Sequence, residues 1–283
     1  MIEQSFPAAP RTFLRLALLA LTALIFGAPV SRSEVTRDQR LPLATNEILD
    51  RISKAHITGN VSNDVFDSFR LSGCMTIQQS LVTTTNTNLS ANCLKEETGV
   101  LQPSLAYVSI VIGASRVTDL IDMEQQKGWQ IMDASSDTVG PSRSVSLLQK
   151  LKYDALVENT RHSLPALLAI LHSSNQVSRK GLEVTSNAEG FVIKWPTEYS
   201  VNEFFFDNKT FLCGKQKRTV GSDSSVINYS NYKLVSNVML PHTIVMAKGN
   251  GAIVATRDIQ KWDLAMQWPI DHFRPDKIGA LNE

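Results

Sequence analysis

The chain has 283 residues, enough for one large domain or two modest ones, and 43% of them are hydrophobic, as in an ordinary globular protein. Its 28 basic and 27 acidic residues almost cancel, so the sequence lacks the excess of positive charge that nucleic acid binding requires. Nucleic acid and other polyanions are therefore excluded as expected partners.

The first 33 residues have the layout of a secretory signal peptide. Arg11 and Arg15 precede an apolar run from Leu16 to Phe26, and small residues come before a predicted cleavage site after Ser33. The apolar run is too short to span a bilayer comfortably, so we favour a cleaved signal over the alternative, an uncleaved anchor. We therefore expect an exported, periplasmic protein whose mature chain has no transmembrane span.

After a polar linker, the sequence shows helical periodicity. Thr45 can cap a helix whose apolar residues recur at helical spacing from Ile48 to Ala55, and Gly59 is a suitable stop. A second short helix is predicted from Ser62 to Phe69.

From Leu71 onwards the period changes to that of short strands. The predicted strands of the first half are Leu71–Val82, Ala91–Glu97, Leu105–Ile112, Arg116–Met123 and Trp129–Asp133. Those of the second half are Leu182–Val184, Phe191–Trp195, Asn202–Phe206, Phe211–Lys217 and Ser225–Tyr229. No helix separates consecutive strands within either half, so the pattern indicates an antiparallel meander and disfavours a parallel βαβ architecture.

Helical spacing returns between Ser142 and Ser174. One apolar face is predicted from Val145, Leu147, Leu148, Leu151, Leu156 and Val157. Pro165 can begin a second helix that is apolar nearly all round. A helix of that kind is buried or fills a cavity.

The stretch from Ile227 to Leu264 predicts the core of the sheet. It contains two tight-turn signals, Ser236-Asn237 and Asn250-Gly251, each flanked by apolar residues, and the second matches a type I′ hairpin turn. Apolar side chains alternate onto both faces near the second turn. Each face must therefore be covered by other parts of the chain, unless one of them holds a ligand.

The cysteines allow two interpretations. Cys74 and Cys93 flank a Thr- and Asn-rich turn and could face each other across a hairpin, which would leave Cys213 single. An oxidising compartment makes that disulfide plausible. The alternative, three unpaired and buried thiols, stands equally at this point.

The sequence has no recognisable catalytic or metal-binding motif, including HExxH, GxSxG, GxGxxG and GxxxxGK. Ser230 and Lys233 match a Ser-x-x-Lys string by chance, because they lie in a strand region. His162 and His172 could pair on the helices, but isolated surface or capping histidines are the simpler interpretation. Asp119 and its acidic neighbours are interpreted as solvated. We expect no enzyme, no cofactor and no metal.

Several segments, in this order, resemble the LolA-like family of outer-membrane lipoprotein-sorting proteins. They are ATNEILDRISKA, SFRLSGCMTI, QQKGWQI, FFFDNKTFL, NYKLVSNVMLPHTI and KWDLAMQWPIDHFRP. No single segment is specific, and their order and spacing carry the resemblance, which covers nearly all of the mature chain. One departure concerns the start of the third strand, where some carriers have a basic residue before proline and this chain has Gln102-Pro103.

The resemblance implies an α+β fold, a strongly curved antiparallel sheet or half-barrel whose concave face is covered by helices. The domains are then residues 1–33 as signal peptide, 34–44 as linker, 45–276 as the LolA-like half-barrel and 277–283 as the C-terminal tail. The family's carriers shield acyl chains in an apolar cavity. The resemblance therefore implies lipid or lipoprotein acyl chains as ligands, membrane-bound donor or acceptor proteins as further partners, and a monomer.

We therefore predict a non-enzymatic periplasmic carrier of the lipoprotein-sorting type. The predicted cavity residues are Leu148, Leu151, Leu164, Leu167, Leu168, Leu171, Trp195, Phe204, Phe206 and Met246. Plain packing of helix against sheet would explain the same residues equally well. The alternative function is a periplasmic sensor or protein-interaction module with a filled core and no lipid transport.

Overall fold

The computed structural model of the chain describes residues 43–62, 64–78, 93–134, 141–173, 179–187, 189–276 and 278. Its helices are α1 (Leu43–His56), α2 (Lys150–Arg161) and α3 (Leu164–His172). Its strands are β1 (Ser68–Ile77), β2 (Leu94–Leu101), β3 (Leu105–Ile112), β4 (Ser115–Asp122), β5 (Lys127–Ala134), β6 (Ser142–Leu147), β7 (Glu183–Asn187), β8 (Gly190–Pro196), β9 (Val201–Asp207), β10 (Cys213–Val220), β11 (Asp223–Val235), β12 (Val238–Lys248) and β13 (Ile253–Leu264). A short 3₁₀ helix, Ile270–Phe273, follows β13. The predicted signal peptide lies outside the described residues.

All thirteen of these strands belong to one open antiparallel sheet. Its order is β6-β5-β4-β3-β2-β1-β13-β12-β11-β10-β9-β8-β7. The chain runs outward from β1 to one edge, crosses to the other edge at β7, and returns strand by strand until β13 pairs with β1. Because β6 and β7 are the two edges, the segment that joins them must pass across the sheet. Both α2 and α3 lie in that segment.

The contacts of α2 show that the sheet is strongly curved. Lys152, near the start of α2, binds Asp119 on β4, and Asn159, seven residues later, binds Arg218 on β10. In the sheet order, β4 and β10 are seven strand steps apart, which would be roughly 34 Å in a flat sheet. The helix segment between the two contacts is only about 10 Å long. The predicted half-barrel is therefore confirmed, with α2 on its concave side.

Two helix predictions are wrong. Residues 142–147 form β6, which pairs with β5 and has a two-residue alternation, Ser-Arg-Ser-Val-Ser-Leu, that fits a strand better than a helix. The segment predicted as a helix from Ser62 to Phe69 contains a turn, in which the Asp67 N–H donates to the Asp64 carbonyl oxygen, and then enters β1. The segment is too short to pay the cost of helix nucleation without further packing.

The two predicted hairpin turns are present, with their conformations exchanged. Ser236 and Asn237 have φ of 47° and 66°, the pair of positive values that a type I′ turn requires. At the other turn only Gly251 has a positive φ, of 86°, and the Gly251 N–H donates to the Lys248 carbonyl oxygen. That arrangement is a turn followed by one left-handed residue, and the Asn250 side chain accepts a hydrogen bond from the Ala252 N–H.

The main core lies between the concave face and the pair α1 and α3. Leu49 and Ile52 of α1 and Leu167 and Leu168 of α3 are fully buried. Phe204, on β9, is fully buried beneath them in the same cluster. The helix predicted at Pro165 is therefore confirmed as a buried helix, and the Ser163 side chain caps it by accepting from the Ala166 N–H.

The C-terminal segment covers part of the convex face. Phe273 and Ile278 pack with Tyr107, Leu120 and Ile131 in a second, smaller cluster. This cluster covers the apolar residues that β3, β4 and β5 turn towards the convex face.

Candidate functional site

A cavity of 260 Å³ lies between the concave face and α2. Its floor comes from β1 to β4 and from β10 to β13, and its roof comes from α2 and the start of α3. Apolar side chains make up most of its wall: Phe69, Leu71, Val100, Val108, Ile110, Val117, Ala155, Leu156, Leu164, Pro165, Ile227, Ile244, Met246 and Trp262. Those of them that lie on strands follow a period of two, because every second side chain of a strand points towards the concave side.

The size of this cavity is that of a small binding site. An engineered apolar cavity of about 150 Å³ binds benzene, and pockets for drug-sized ligands start at about 300 Å³. A cavity of 260 Å³ therefore accepts a short apolar group or the end of a longer chain.

A buried ion pair joins the start of α2 to the sheet. The Lys152 Nζ lies 2.6 Å from one carboxylate oxygen of Asp119 and 2.7 Å from the other, and both residues are buried. Burial lowers the pKa of Lys152, and the Asp119 carboxylate opposes that shift. Gln130 also donates to Asp119, at 3.1 Å. The interpretation of Asp119 as a solvated acid is therefore wrong.

A second polar cluster lies at the end of α2. The carboxylate of Glu158 lies 3.1 Å from the Nδ1 atom of His162 and accepts hydrogen bonds from the hydroxyls of Ser200 and Thr197. Burial alone would raise the pKa of Glu158, but the neighbouring His162 and the hydrogen bond from Ser200 outweigh it and lower that pKa to about 2. The imidazole of His162 also packs edge-on against Trp195, with 4.8 Å between ring centroids.

Arg218 connects this end of α2 to the sheet. Its Nε donates to the Asn202 side-chain oxygen at 2.9 Å, and its two terminal nitrogens donate to the Asn159 side chain and to the Glu158 carbonyl oxygen. The neighbouring Gln216 donates to the carbonyl oxygen of His162 at 3.0 Å. These contacts hold α2 to β10, as the Lys152 pair holds it to β4.

The cavity floor contains a further ion pair. Arg257, on β13, donates through Nε to Glu96 on β2 at 2.8 Å, and Glu96 is 5% exposed. Burial lowers the pKa of Arg257 to about 10, so its guanidinium is charged at neutral pH. Glu96 is therefore the carboxylate that compensates the charge of Arg257.

The structure places the ten predicted cavity residues in four different settings. Leu164 and Met246 line the cavity. Leu167, Leu168, Leu171, Phe204 and Phe206 lie in the close-packed core, and Leu148 and Trp195 pack against its border. Leu151 is 56% exposed and lines no part of the cavity.

Sequence reasoning missed the polar lining. Lys152, Ala155, Asn159 and His162 recur at helical spacing and all line the cavity, so the inward face of α2 carries polar as well as apolar groups. That spacing is the signal that could have found them. On β10, Gln216 and Arg218 alternate with lysines, so no contrast in polarity marks their inward position.

The cysteines and the two helix histidines have separate surroundings. The Sγ atoms of Cys74 and Cys93 are 2.05 Å apart, which is the length of a disulfide bond, and Cys213 is a buried free thiol. His172, at the end of α3, makes its hydrogen bond with the Val61 carbonyl oxygen, whereas His162 contacts Glu158.

The residues that the structure describes include neither a membrane-spanning helix nor a cluster of metal ligands. No helix among them is long and apolar enough to cross a bilayer. They also contain no group of three or more His, Cys, Asp or Glu residues placed to hold a metal ion.

No family model and no curated protein matches this sequence. Among solved structures, a LolA superfamily protein from Nitrosomonas europaea is similar, with a TM-score of 0.48 and 12% identity, over 82% of this chain and 98% of that chain. A domain assigned to outer membrane lipoprotein sorting from Vibrio parahaemolyticus has a TM-score of 0.45 and 8% identity, over 82% and 96%. A DUF1329 family protein from Desulfovibrio piger has a TM-score of 0.38 and 8% identity, over 81% and 95%. These likenesses concern the fold alone, and we draw no functional argument from them.

Proposed function

We propose that this chain is a non-enzymatic, exported carrier that shelters a lipid acyl chain, free or attached to a lipoprotein, in the cavity beneath α2. The observation that carries the proposal is this cavity, which is enclosed by the concave face and walled mainly by apolar side chains. Membrane-bound proteins that deliver or accept the ligand are the partners that such a carrier requires. The predicted signal peptide supports a periplasmic location.

Burial of a hydrocarbon chain supplies the binding energy. A methylene group is about as large as a water molecule, which occupies about 30 Å³. A cavity of 260 Å³ therefore accommodates about eight methylene groups. Each buried methylene contributes about 0.8 kcal/mol, so the gross gain is roughly 6 kcal/mol before the costs of ordering the chain. No reaction is needed for this function.

The structure also supports a route for the ligand. Because the contacts that hold α2 to the sheet include the ion pair of Lys152 and the hydrogen bonds of Arg218, water can replace them when the helix moves. Lifting α2 removes its half-buried Leu156 and Val157 from the edge of the core and opens the cavity, while the fully buried face of α3 stays in place. We therefore propose α2 as the lid of the carrier.

A cavity-filling variant tests the proposal. Val108→Phe places an aromatic ring in the cavity, whereas Val201→Phe makes the same change on β9 at a site that is 39% exposed and outside the cavity. We expect the purified mature protein and Val201→Phe to retain membrane lipid in native mass spectrometry and to bind Nile red, and Val108→Phe to lose both. Lipid-free wild-type protein that also binds no Nile red would contradict the carrier function. Equal binding by both variants would place the ligand elsewhere.

One observation favours the second function, a module that docks a partner protein. Val145 and Leu147 on the edge strand β6 are 48% and 72% exposed, and Leu151 at the start of α2 is 56% exposed, so apolar side chains occur outside the concavity. A Leu147→Ser/Leu151→Ser variant distinguishes the two functions, because it leaves the cavity wall unchanged. We expect it to bind lipid like the wild type. Loss of a specific protein partner, with no lipid bound by either protein, would support the docking module instead.

A further inference from the structure

Three strongly basic side chains line the cavity, and they differ in their partners. Lys152 is paired with Asp119, and Arg257 is paired with Glu96. The third is Arg218, which is 4% exposed.

Arg218 binds only neutral oxygens in the described part of the chain. Its acceptors are the side-chain oxygens of Asn202 and Asn159 and the backbone oxygen of Glu158. The charge of the Glu158 carboxylate partly opposes the effect of burial on the pKa of Arg218, but this carboxylate does not bind the guanidinium. Its own contacts are with His162 and hydroxyl groups. A guanidinium has five N–H donors, so these three bonds leave two of them for another acceptor.

Among the described residues, Arg218 carries a buried charge with no carboxylate in direct contact. Burial lowers the pKa of Arg218, yet an arginine side chain stays protonated in proteins, so its positive charge remains next to an apolar cavity. Buried charges are normally compensated by a partner of opposite charge. Neutral hydrogen bonds between α2 and β10 could be formed by glutamine as well, so these bonds alone do not account for the charge.

We propose that the ligand is a single-chain amphiphile with an anionic oxygen head, and that Arg218 binds this head while the chain lies against Val108 and Ile110. The assignment rests on the proposed carrier function and names its class of ligand. Carboxylate and phosphate heads share the required chemistry, since both accept two parallel hydrogen bonds from a guanidinium. The Ser225 and Gln216 side chains lie beside Arg218 at the same polar end of the cavity.

Three probes separate the head from the chain: decanoate, decan-1-ol and acetate, each titrated into the mature protein at pH 8 and followed by isothermal titration calorimetry. At this pH a carboxylic acid is ionised. We expect decanoate to bind at least about tenfold more tightly than decan-1-ol, and acetate not to bind measurably, because the charged hydrogen bond adds to the burial of the chain.

Arg218→Gln keeps hydrogen-bond donors and removes the charge. We expect this variant to lose the preference for decanoate, and the readout is the ratio of its affinities for decanoate and decan-1-ol, because Arg218 also helps to hold α2 to the sheet. Lys217→Gln is the matched control, since it removes a charge from the neighbouring position of β10, which alternates onto the convex face, and we expect it to keep the preference.

Ser225→Asp gives an independent test that keeps Arg218 in place. Ser225 lies opposite Arg218 in the β10–β11 pairing, so an aspartate there supplies the anion from the protein itself. We expect the variant to lose the preference for decanoate, measured as the ratio of its affinities for decanoate and decan-1-ol. This outcome is independent of whether Arg218→Gln folds.

The possible failures have different meanings. Equal affinity of the wild type for decanoate and decan-1-ol, or an unchanged decanoate preference in Ser225→Asp, would overturn the assignment of the head and leave the carrier function standing. Acetate binding as tightly as decanoate would replace the amphiphile by a small anion. Absence of binding for both ten-carbon probes would contradict the carrier function itself.

Discussion

The two helices that cross the concave face are attached to it in opposite ways. On α3, Leu164, Leu167, Leu168 and Leu171 are at most 1% exposed. On α2, the buried residues are Lys152 and Ala155. The segment that begins with Ser163 therefore packs as part of the core, whereas the helix just before it covers a cavity and is held by polar contacts together with the half-buried Tyr153, Leu156 and Val157.

The difference indicates which part of the half-barrel can move. Displacing α3 would expose a close-packed apolar surface to water, which costs about 25 cal/mol for each Å². Displacing α2 would expose a surface that already borders a cavity, and its ion pair and hydrogen bonds would be exchanged for bonds to water. In the proposed carrier, α3 belongs to the frame and α2 to the lid.

The largest expected effect comes from truncating the core under α3. Phe204→Ala should lower the free energy of unfolding by about 3–5 kcal/mol, because it removes a fully buried ring and leaves a cavity. Leu156→Ala on α2 should lower it by at most about 2 kcal/mol, since Leu156 already borders the cavity. Urea unfolding followed by circular dichroism measures both. Equal losses would mean that the two helices are packed alike.

The next largest effect comes from the ion pair of the lid. Asp119→Ala leaves the Lys152 ammonium buried without its partner and should cost about 3 kcal/mol. The double variant Lys152→Met/Asp119→Leu removes both charges and should recover most of that loss, because apolar residues can replace a buried pair.

Hydrogen exchange then shows where the loss occurs. In Asp119→Ala the amides of α2 should exchange faster than in the wild type, whereas those of α3 should change less. Equal acceleration in both helices would contradict the separation into lid and frame. A double variant as unstable as Asp119→Ala would show that the attraction between Lys152 and Asp119 exceeds the free energy needed to bury their charges.

Much of the frame could be predicted from the sequence because its signals are local. The strand predicted from Leu105 to Ile112 has the bounds of β3, and Pro165 marks the start of α3 with Ser163 as its cap. The curvature of the sheet was predicted only from the resemblance to LolA-like proteins, because no local sequence pattern indicates it. The helix predicted at residues 142–147 was wrong because the helical spacing that follows Leu147 was extended back over a segment that alternates with a period of two.

The lid could not be predicted in the same way, because its key residues act through pairs distant in sequence. Lys152 meets Asp119 across 33 residues, and Arg218 meets Asn159 across 59. A hydrophobicity pattern ranks such residues as surface. The apolar residues it selected, such as Leu168 and Phe204, are buried in the frame, where packing rather than a ligand determines their surroundings.

The smallest of the expected effects is a pH dependence of the free energy of unfolding. It arises in the frame, from His56, the last residue of α1, and not in the lid. Its ring is fully buried, with Nδ1 donating to the Met239 carbonyl oxygen at 3.0 Å and Nε2 accepting from the Cys213 N–H at 3.3 Å. These two bonds require the neutral imidazole. Burial lowers the pKa of His56 to about 4, and the Met239 acceptor only partly opposes that shift.

Because the folded pKa of His56 lies below the unfolded value of about 6.5, the neutral ring stabilises the fold above pH 6.5, and this stability is lost as the pH falls towards 4. At pH 5 the loss should be about 2 kcal/mol. The pKa of Glu158 is about 2, so its carboxylate at the end of α2 stays ionised at pH 5. Urea unfolding at pH 8 and pH 5 should therefore show a smaller pH dependence in His56→Asn than in the wild type, while decan-1-ol binding by the folded wild type stays constant. Equal pH dependence of unfolding in the two proteins would remove His56 as the cause. A loss of decan-1-ol binding at pH 5 in the wild type but not in His56→Asn would mean that the lid depends on the protonation of His56.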